Sequence, residues 1–119
     1  MVSCKLDLTE KFYMITIVNR TKSELGIYVG RPSILGNPFE IGKDGTRSEV
    51  IEKYEIYFIK RLENDLVFKR EFDRLVELAR TGDLSMACWC YPHRCHAEII
   101  KKYIEIELNK NRMKSIFRI

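Results

Sequence analysis

The segment from Cys88 to His96 concentrates the most reactive side chains of this sequence. It reads Cys-Trp-Cys-Tyr-Pro-His-Arg-Cys-His, so three thiols and two imidazoles fall within nine residues. Thiolates and neutral imidazoles are the ligands that zinc prefers, and a thiolate is also a strong nucleophile. The segment therefore predicts either a metal centre or a reactive cysteine.

A metal centre here would use Cys88, Cys90, Cys95 and His96, and would hold zinc or an iron–sulfur cluster. In an extended strand the Cα atoms of Cys88 and Cys90 lie about 6.5 Å apart, and zinc or iron–sulfur ligation needs the two sulfurs much closer together than a flat strand places them. On a helix the side chains of Cys95 and His96 diverge by about 100°. A metal site built from this segment therefore requires a bent strand end.

A reactive cysteine is the second interpretation, with Cys95, His96 and Cys90 as candidate catalytic residues. Cys95 is predicted in the first turn of a helix, where unpaired backbone N–H groups and the helix dipole stabilise an anion. Arg94 and His96 would add a positive charge and a proton acceptor, which favours a nucleophilic thiolate in a hydrolase or transferase. The alternative is that Cys88 and Cys90 are small apolar residues of a buried strand, that Cys95 has no special role, and that His96 caps or orients the turn.

A second candidate site is the glycine-rich loop between Gly30 and Asn37. Glycine lets a ligand approach the backbone closely, and an arginine can pair with a phosphate or carboxylate. The loop matches neither the Rossmann fingerprint nor the P-loop spacing, and its alternative is a tight turn held by Pro32 and Pro38. The residues predicted to bind an anionic small molecule are Gly30, Arg31, Ser33, Gly36, Asn37 and Arg47.

The elements that must position these two loops alternate between strands and helices. Hydrophobic periodicity predicts strands at 13–18, 27–29 and 84–90, and helices at 46–62, 65–80 and 95–109. Thr46 and Glu49 have the spacing of a capping box that begins the first helix. The inward face of the last helix is predicted to carry Ile99, Ile100, Tyr103 and Ile106.

This order of elements favours a single α/β domain over residues 1–119, with a short basic tail at about 110–119. We expect a small Rossmann-like, three-layer domain in which helices flank a mixed or parallel sheet. In such folds ligands bind beyond the carboxyl ends of the strands, which is where both candidate loops begin. An open strand edge would also permit a homodimer.

The formal net charge of +4 is unevenly distributed along the chain. Beyond position 100 the sequence has two acidic residues, Glu105 and Glu107. It has six basic residues there: Lys101, Lys102, Lys110, Arg112, Lys114 and Arg118. The excess indicates either a solvated helix and tail or a nucleic-acid contact through the basic C-terminal helix. No apolar run is long enough to span a bilayer, and charged residues fill the N-terminal stretch, so we expect a cytoplasmic protein without a membrane partner.

The two loops together resemble a known family. The motifs are Gly30-Arg31-Pro32-Ser33, Gly36-Asn37-Pro38-Phe39 and Cys88-Trp89-Cys90-Tyr91-Pro92 with Cys95-His96. They are similar to those of the uncharacterised domain of unknown function 4326 family, over roughly residues 15 to 105. The resemblance implies no established reaction. It is compatible with a viral or archaeal origin, and hence with a location in a host cytoplasm.

Two hypotheses for the function differ in where the damage from mutation should fall. In the first, the protein binds or processes a nucleotide-like anionic small molecule, so alanine at Cys95 abolishes activity. In the second, it is a non-catalytic nucleic-acid-binding module with structural or metal-bound cysteines. Charge reversal at Lys101, Lys102 and Lys110 should then abolish binding.

A third hypothesis is a metal-dependent, strand-nicking nuclease. It would use His93 and His96 as metal ligands and Tyr103 as the nucleophile. Such nucleases generally pair histidines across one intervening residue on a strand, whereas these histidines are three positions apart at the start of a helix. Tyr103 also fits the apolar face of that helix, which favours a place in the core.

Overall fold

The computed structural model describes residues 15–19, 26–88 and 93–117, with side chains described as far as residue 110. Within these segments the elements follow the predicted order, strand, strand, helix, helix, strand, helix. They are β1 (Ile15–Asn19), β2 (Ile27–Tyr28), α1 (Arg47–Asn64), α2 (Leu66–Thr81), β3 (Leu84–Cys88) and α3 (Ala97–Phe117). The predicted α/β class is confirmed.

The three strands of the described segments form one parallel sheet with the order β1-β3-β2. Asn19 lies beside Cys88 in the β1–β3 pair, and Tyr28 lies beside Ala87 in the β2–β3 pair. The central strand is buried at four of its five positions, as expected for a strand covered on both sides by neighbours. The parallel sheet is confirmed, whereas the Rossmann-like, three-layer arrangement stays a prediction.

Local capping interactions begin the first two helices. The Thr46 hydroxyl accepts a hydrogen bond from the backbone N–H of Glu49 at 3.2 Å, and the Glu49 carboxylate accepts one from the N–H of Thr46 at 2.8 Å. This is the predicted capping box. The Asp65 carboxylate caps α2 in a similar way by accepting from the N–H groups of Val67 and Phe68. Each cap satisfies backbone donors that the helix itself leaves unpaired.

The helix α3 differs from its prediction at both ends. It begins at Ala97, and it continues to Phe117 through most of the segment predicted as a tail. The prediction that Ile106 faces inward is wrong, because its side chain is 39% exposed. Ile100, Ile104 and Leu108 form the buried row instead, at the four-residue spacing of one helix face.

Aromatic rings join the three helices into one core. The Phe58 ring of α1 lies 5.4 Å from Phe68 and 5.5 Å from Phe72, both on α2. The same ring lies 5.5 Å from Tyr103 of α3. Such edge-on and tilted ring pairs stabilise a core beyond the area that they bury. Among the described residues, no helix is both long and apolar enough to cross a membrane.

Candidate functional site

The candidate site lies beyond the carboxyl ends of the strands. All three strands run in the same direction, so the chain segments that leave β2 and β3 emerge at the same edge of the sheet. The segment after β2 is the glycine-rich loop, and the residues just before α3 return to that edge. This is the position at which open α/β sheets bind their ligands.

The glycine-rich loop turns back tightly against the end of β2. Its first hydrogen bond joins the Val29 N–H to the Ala87 carbonyl at 3.0 Å, and its turn is closed by the Ser33 N–H on the Gly30 carbonyl at 2.7 Å. A Cβ on Gly30 would lie only 2.6 Å from the Tyr28 hydroxyl oxygen. Glycine at position 30 therefore leaves room for the Tyr28 ring, which any larger residue there would have to displace.

His96 connects this loop to the start of α3. The ring is buried and its Nε2 lies 2.7 Å from the Val29 carbonyl oxygen, while the Tyr54 ring packs edge-on at 5.0 Å. A carbonyl oxygen can only accept, so Nε2 carries the hydrogen. Burial lowers the pKa of His96, and the positive charge of Arg31 lowers it further, against the opposing effect of the Val29 hydrogen bond. The ring is therefore neutral near pH 7, and its Nδ1 retains a lone pair.

Cys95 lies two residues before Ala97, where α3 begins, rather than in the first turn of that helix, which corrects the prediction from sequence. The Ile100 N–H bonds the His96 carbonyl, and the Glu98 N–H bonds the Cys95 carbonyl. His96 is thus the capping position, and Cys95 precedes it. The Cys95 thiol is buried, and its Sγ lies 3.1 Å from the Sγ of Cys88 at the end of β3.

A cavity of about 470 Å³ opens between the glycine-rich loop, the beginning of α1 and the residues before α3. Three arginines and one glutamate are the charged residues among its described lining: Arg31, Arg47, Arg94 and Glu40. With a neutral His96 the lining carries three positive charges against one negative charge, a net of +2. The cavity is suited to an anionic ligand.

Each arginine of the cavity makes one polar contact with a neighbouring residue. Arg47 donates from Nη1 to the Arg94 carbonyl at 3.1 Å and so joins the start of α1 to the residues before α3. Arg94 pairs with Glu98 at 3.1 Å, and Arg31 lies 3.7 Å from Glu40. These contacts are at the surface, so water and ligands reach the guanidinium groups.

The structure brings together residues of both predicted loops. Seven of the predicted site residues line the cavity: Gly30, Arg31, Asn37, Arg47, Cys88, Cys95 and His96. The Asn37 amide supports the loop by donating to the Val50 carbonyl and accepting from the Phe39 N–H. Ser33 and Gly36 shape the turn without lining the cavity. Cys90 lies outside the described residues.

Sequence reasoning missed several residues of the cavity wall. Those that it did not select are Tyr28, Phe39, Glu40, Ile41, Val50, Ile51 and Arg94. Arg94 was considered only for its effect on the neighbouring thiol. The aromatic residues Tyr28 and Phe39 sit next to the selected glycines in the sequence, and this proximity to the loop is the signal that could have included them.

The metal and nuclease hypotheses both require a cluster of metal-ligating side chains, and the described residues contain none. Among the described residues no group of three metal-ligating side chains lies close enough to hold one ion, and the predicted set includes Cys90, which is not described. His93 is exposed, whereas the Tyr103 hydroxyl donates to Glu55 at 2.6 Å, between α1 and α3. Tyr103 therefore lies apart from the cavity that His96 lines.

Part of the charge on the basic helix is neutralised by ion pairs. Lys102 bonds Glu55 at 2.7 Å, and Lys110 lies 4.0 Å from Glu107. The Glu55 pair lowers the pKa of that carboxyl, chiefly through the Lys102 hydrogen bond and then through the Tyr103 hydroxyl. The Lys102 pair ties α3 to α1, and both pairs reduce the positive charge that a nucleic acid would meet.

Comparison with known proteins extends the resemblance noted in the sequence. The family model described as Domain of unknown function (DUF4326) matches residues 17–106. The chain is also similar to an uncharacterized 12.4 kDa protein from the nrdA-td intergenic region of Enterobacteria phage T4, with 31% identity over 85 residues. That alignment covers 71% of this chain and 71% of the phage protein. No solved structure matches the chain.

Proposed function

This chain belongs to the domain of unknown function 4326 family, and we propose that it binds a nucleotide-like anionic small molecule in the cavity at the carboxyl edge of its sheet. One observation carries the proposal. Three arginines line the same cavity as a neutral histidine and a buried thiol: Arg31, Arg47, Arg94, His96 and Cys95. Guanidinium groups are the side chains best suited to bind phosphate through paired hydrogen bonds.

The rest of the wall supports a nucleotide-like ligand over a simple inorganic anion. A cavity of about 470 Å³ is large enough for a small organic molecule. Tyr28, Phe39 and Ile41 add aromatic and apolar surface to the wall. A flat, partly apolar ring can pack against such residues while the arginines hold its anionic group.

The chemistry open to this site is nucleophilic substitution. The thiol of Cys95 would give its proton to Nδ1 of His96 and attack an electrophilic carbon or phosphorus of the ligand. The leaving group would depart with the bonding electron pair and take that proton, and water or a second substrate would then cleave the thioester or thiophosphate bond. The protein would thus be a hydrolase or a transferase.

Calorimetric titration with nucleoside monophosphates, and with the matching nucleosides, tests the binding proposal. We expect the monophosphates to bind and the nucleosides to bind at least tenfold more weakly, because they lack the group that the arginines hold. Arg47→Gln should raise Kd by about 10–100-fold, the effect of losing a charged hydrogen bond. Arg70→Gln, at an exposed position on α2, removes the same charge away from the cavity and should leave Kd unchanged.

Two outcomes would contradict the binding proposal. One is equal weakening by Arg47→Gln and Arg70→Gln, which would mean that only the overall charge matters. The other is binding of nucleosides as tight as that of the monophosphates. The matching test for the reaction is product formation from a bound nucleotide, which Cys95→Ala should abolish without raising Kd more than a few-fold. A cytoplasmic location and a homodimer through an open strand edge stay predictions.

A further inference from the structure

We propose that Cys88 and Cys95 form a redox-active dithiol at the wall of the cavity, which closes to a disulfide when a hydroperoxide enters. Their Sγ atoms are 3.1 Å apart, with one thiol in position to donate a hydrogen bond to the other. A disulfide bond is about 2.05 Å long, so the sulfurs need to approach by about 1 Å.

The position of the two thiols in the fold supports this assignment. Cys88 is the last residue of the central strand, and Cys95 lies two residues before the first residue of α3, so the bond would join the sheet edge to the segment that leads into the helix. Both side chains belong to the cavity wall, although Cys88 is 1% exposed and Cys95 is 4% exposed. A small oxidant can therefore reach the sulfurs through the cavity, whereas a protein disulfide or a bulky thiol reagent is sterically excluded.

The geometry assigns the first attack to Cys95. It is the more exposed of the two thiols, at 4% against 1%, and it lies next to Arg94 on the side of the cavity where α3 begins. Its sulfur attacks the terminal oxygen of the hydroperoxide, the O–O bond breaks, and the alcohol (water, for hydrogen peroxide) leaves with a proton. The product is a sulfenic acid on Cys95.

Cys88 then resolves this intermediate. Its sulfur attacks the sulfenic sulfur, the S–O bond breaks, and the hydroxide leaves as water with the Cys88 proton. Overall the two thiols lose two protons and two electrons, and one hydroperoxide is reduced to an alcohol and water. The step needs no ligand in the cavity, so it is independent of the proposed nucleotide binding.

Peroxide titration of the reduced, full-length protein tests the dithiol. After brief treatment with hydrogen peroxide, the protein is unfolded in guanidinium chloride and blocked with N-ethylmaleimide, and two of the four cysteines should then resist alkylation. Without alkylation the intact mass should fall by about 2 Da, the two hydrogens lost on disulfide formation, and dithiothreitol should restore it. Trypsin separates residues 81–94 from residues 95–101, so a Cys88–Cys95 bond holds these two peptides together until reduction.

Three variants separate this pair from the neighbouring thiol. Cys90→Ser is the matched control, and it should form the bond with the same yield as the unaltered protein. Cys88→Ser should stop at a sulfenic acid on Cys95 that dimedone labels, and Cys95→Ser should leave Cys88 reduced. Circular dichroism establishes that each variant is folded. If a serine at position 88 or 95 prevents folding, the peptide map of the Cys90→Ser variant decides alone.

Three results would overturn the dithiol assignment. The first is loss of the bond in Cys90→Ser, which would make Cys90 a bonding partner. The second is a bond between two protein molecules, and the third is full alkylation of all four cysteines after peroxide. Since none of these readouts uses a nucleotide, the dithiol and the proposed binding function succeed or fail separately.

Discussion

At the scale of single residues, His96 is the side chain on which most of the site depends. Its ring bridges the end of β2 and the beginning of α3 through the Val29 carbonyl. Burial makes the neutral ring the stable form, so protonation is opposed by the fold. The same neutrality that suits a proton acceptor therefore makes the folded state sensitive to acid.

We expect the free energy of unfolding to fall as the pH is lowered below about 6.5, the pKa of an unperturbed histidine. The pKa of His96 is lowered in the folded state, so in this range the unfolded chain binds more protons, and stability is lost as the pH falls. Urea unfolding at pH 7.5, 6.5 and 5.5 measures this loss of stability. His96→Gln should flatten this dependence, whereas His93→Gln, at an exposed position, should retain it.

If His96→Gln left the dependence of the free energy of unfolding on pH unchanged between pH 7.5 and 5.5, His96 would not be its cause. The three carboxylates whose pKa is lowered give a signal in a different pH range. The pKa of Glu49, of Glu55 and of Asp65 is lowered by hydrogen bonds, so the stability that they contribute is lost only as the pH falls below about 4.5. The loss of stability due to His96 and the loss due to these carboxylates therefore fall in different pH ranges, and one pH series separates them.

At the scale of elements, the first turn of α1 forms one wall of the cavity. The capping box of Thr46 and Glu49 sets where that turn begins, and Arg47 is its first helical residue. The carboxylate of Glu49 also receives the Thr46 N–H, so both ends of the cap are satisfied. Weakening the cap should therefore affect stability and the position of Arg47 together.

Thr46→Ala should lower the free energy of unfolding by about 1 kcal/mol, the usual cost of losing a threonine cap. It should also weaken nucleoside monophosphate binding a few-fold, because the Arg47 side chain loses its fixed starting point. Chemical unfolding and calorimetry measure the two effects. Ser48→Ala changes an exposed residue two positions after Thr46, and it should alter neither the stability nor the binding by a measurable amount. Equal effects of the two changes would exclude a specific role for the cap.

The elements whose beginnings depend on local contacts were the ones that sequence predicted well. The capping box at Thr46 needs only residues within one turn, and it is present as predicted. The start of α3 instead depends on His96, which is held by a carbonyl 67 positions away in the chain. The buried row of Ile104 and Leu108 likewise follows from packing against other helices. Such distant contacts are not encoded in local periodicity, so the predicted helix started early and faced the wrong way at Ile106.

At the scale of the whole molecule, the cavity exists because the parallel sheet brings together segments that are distant in the chain. The glycine-rich loop and the Cys-His residues could be selected from sequence by their composition. Their meeting at one edge follows from strand order and direction, which residue types alone do not fix. Arg94 was not selected as a ligand-binding residue for this reason, since its role appears only when Arg47 bonds its carbonyl.

The two main candidate functions place the important positive charges at different parts of the molecule. Binding in the cavity requires arginines near the sheet edge, whereas nucleic-acid binding requires the lysines of α3. Lys101→Glu combined with Lys110→Glu should therefore change the Kd for nucleoside monophosphates by less than twofold. We expect the unaltered protein to bind duplex DNA only weakly, because ion pairs with Glu55 and Glu107 already neutralise part of α3.

Fluorescence anisotropy with a labelled duplex at two salt concentrations, beside calorimetry with the monophosphate, measures both affinities. If the double lysine variant weakened DNA binding strongly and reduced the slope of log K against log salt by about 2, both lysines would contact phosphates. That result, with monophosphate binding absent from the unaltered protein, would favour the nucleic-acid module. Monophosphate binding that depends on Arg47 and ignores both lysines would instead place the function in the cavity, since each lysine lies outside its wall.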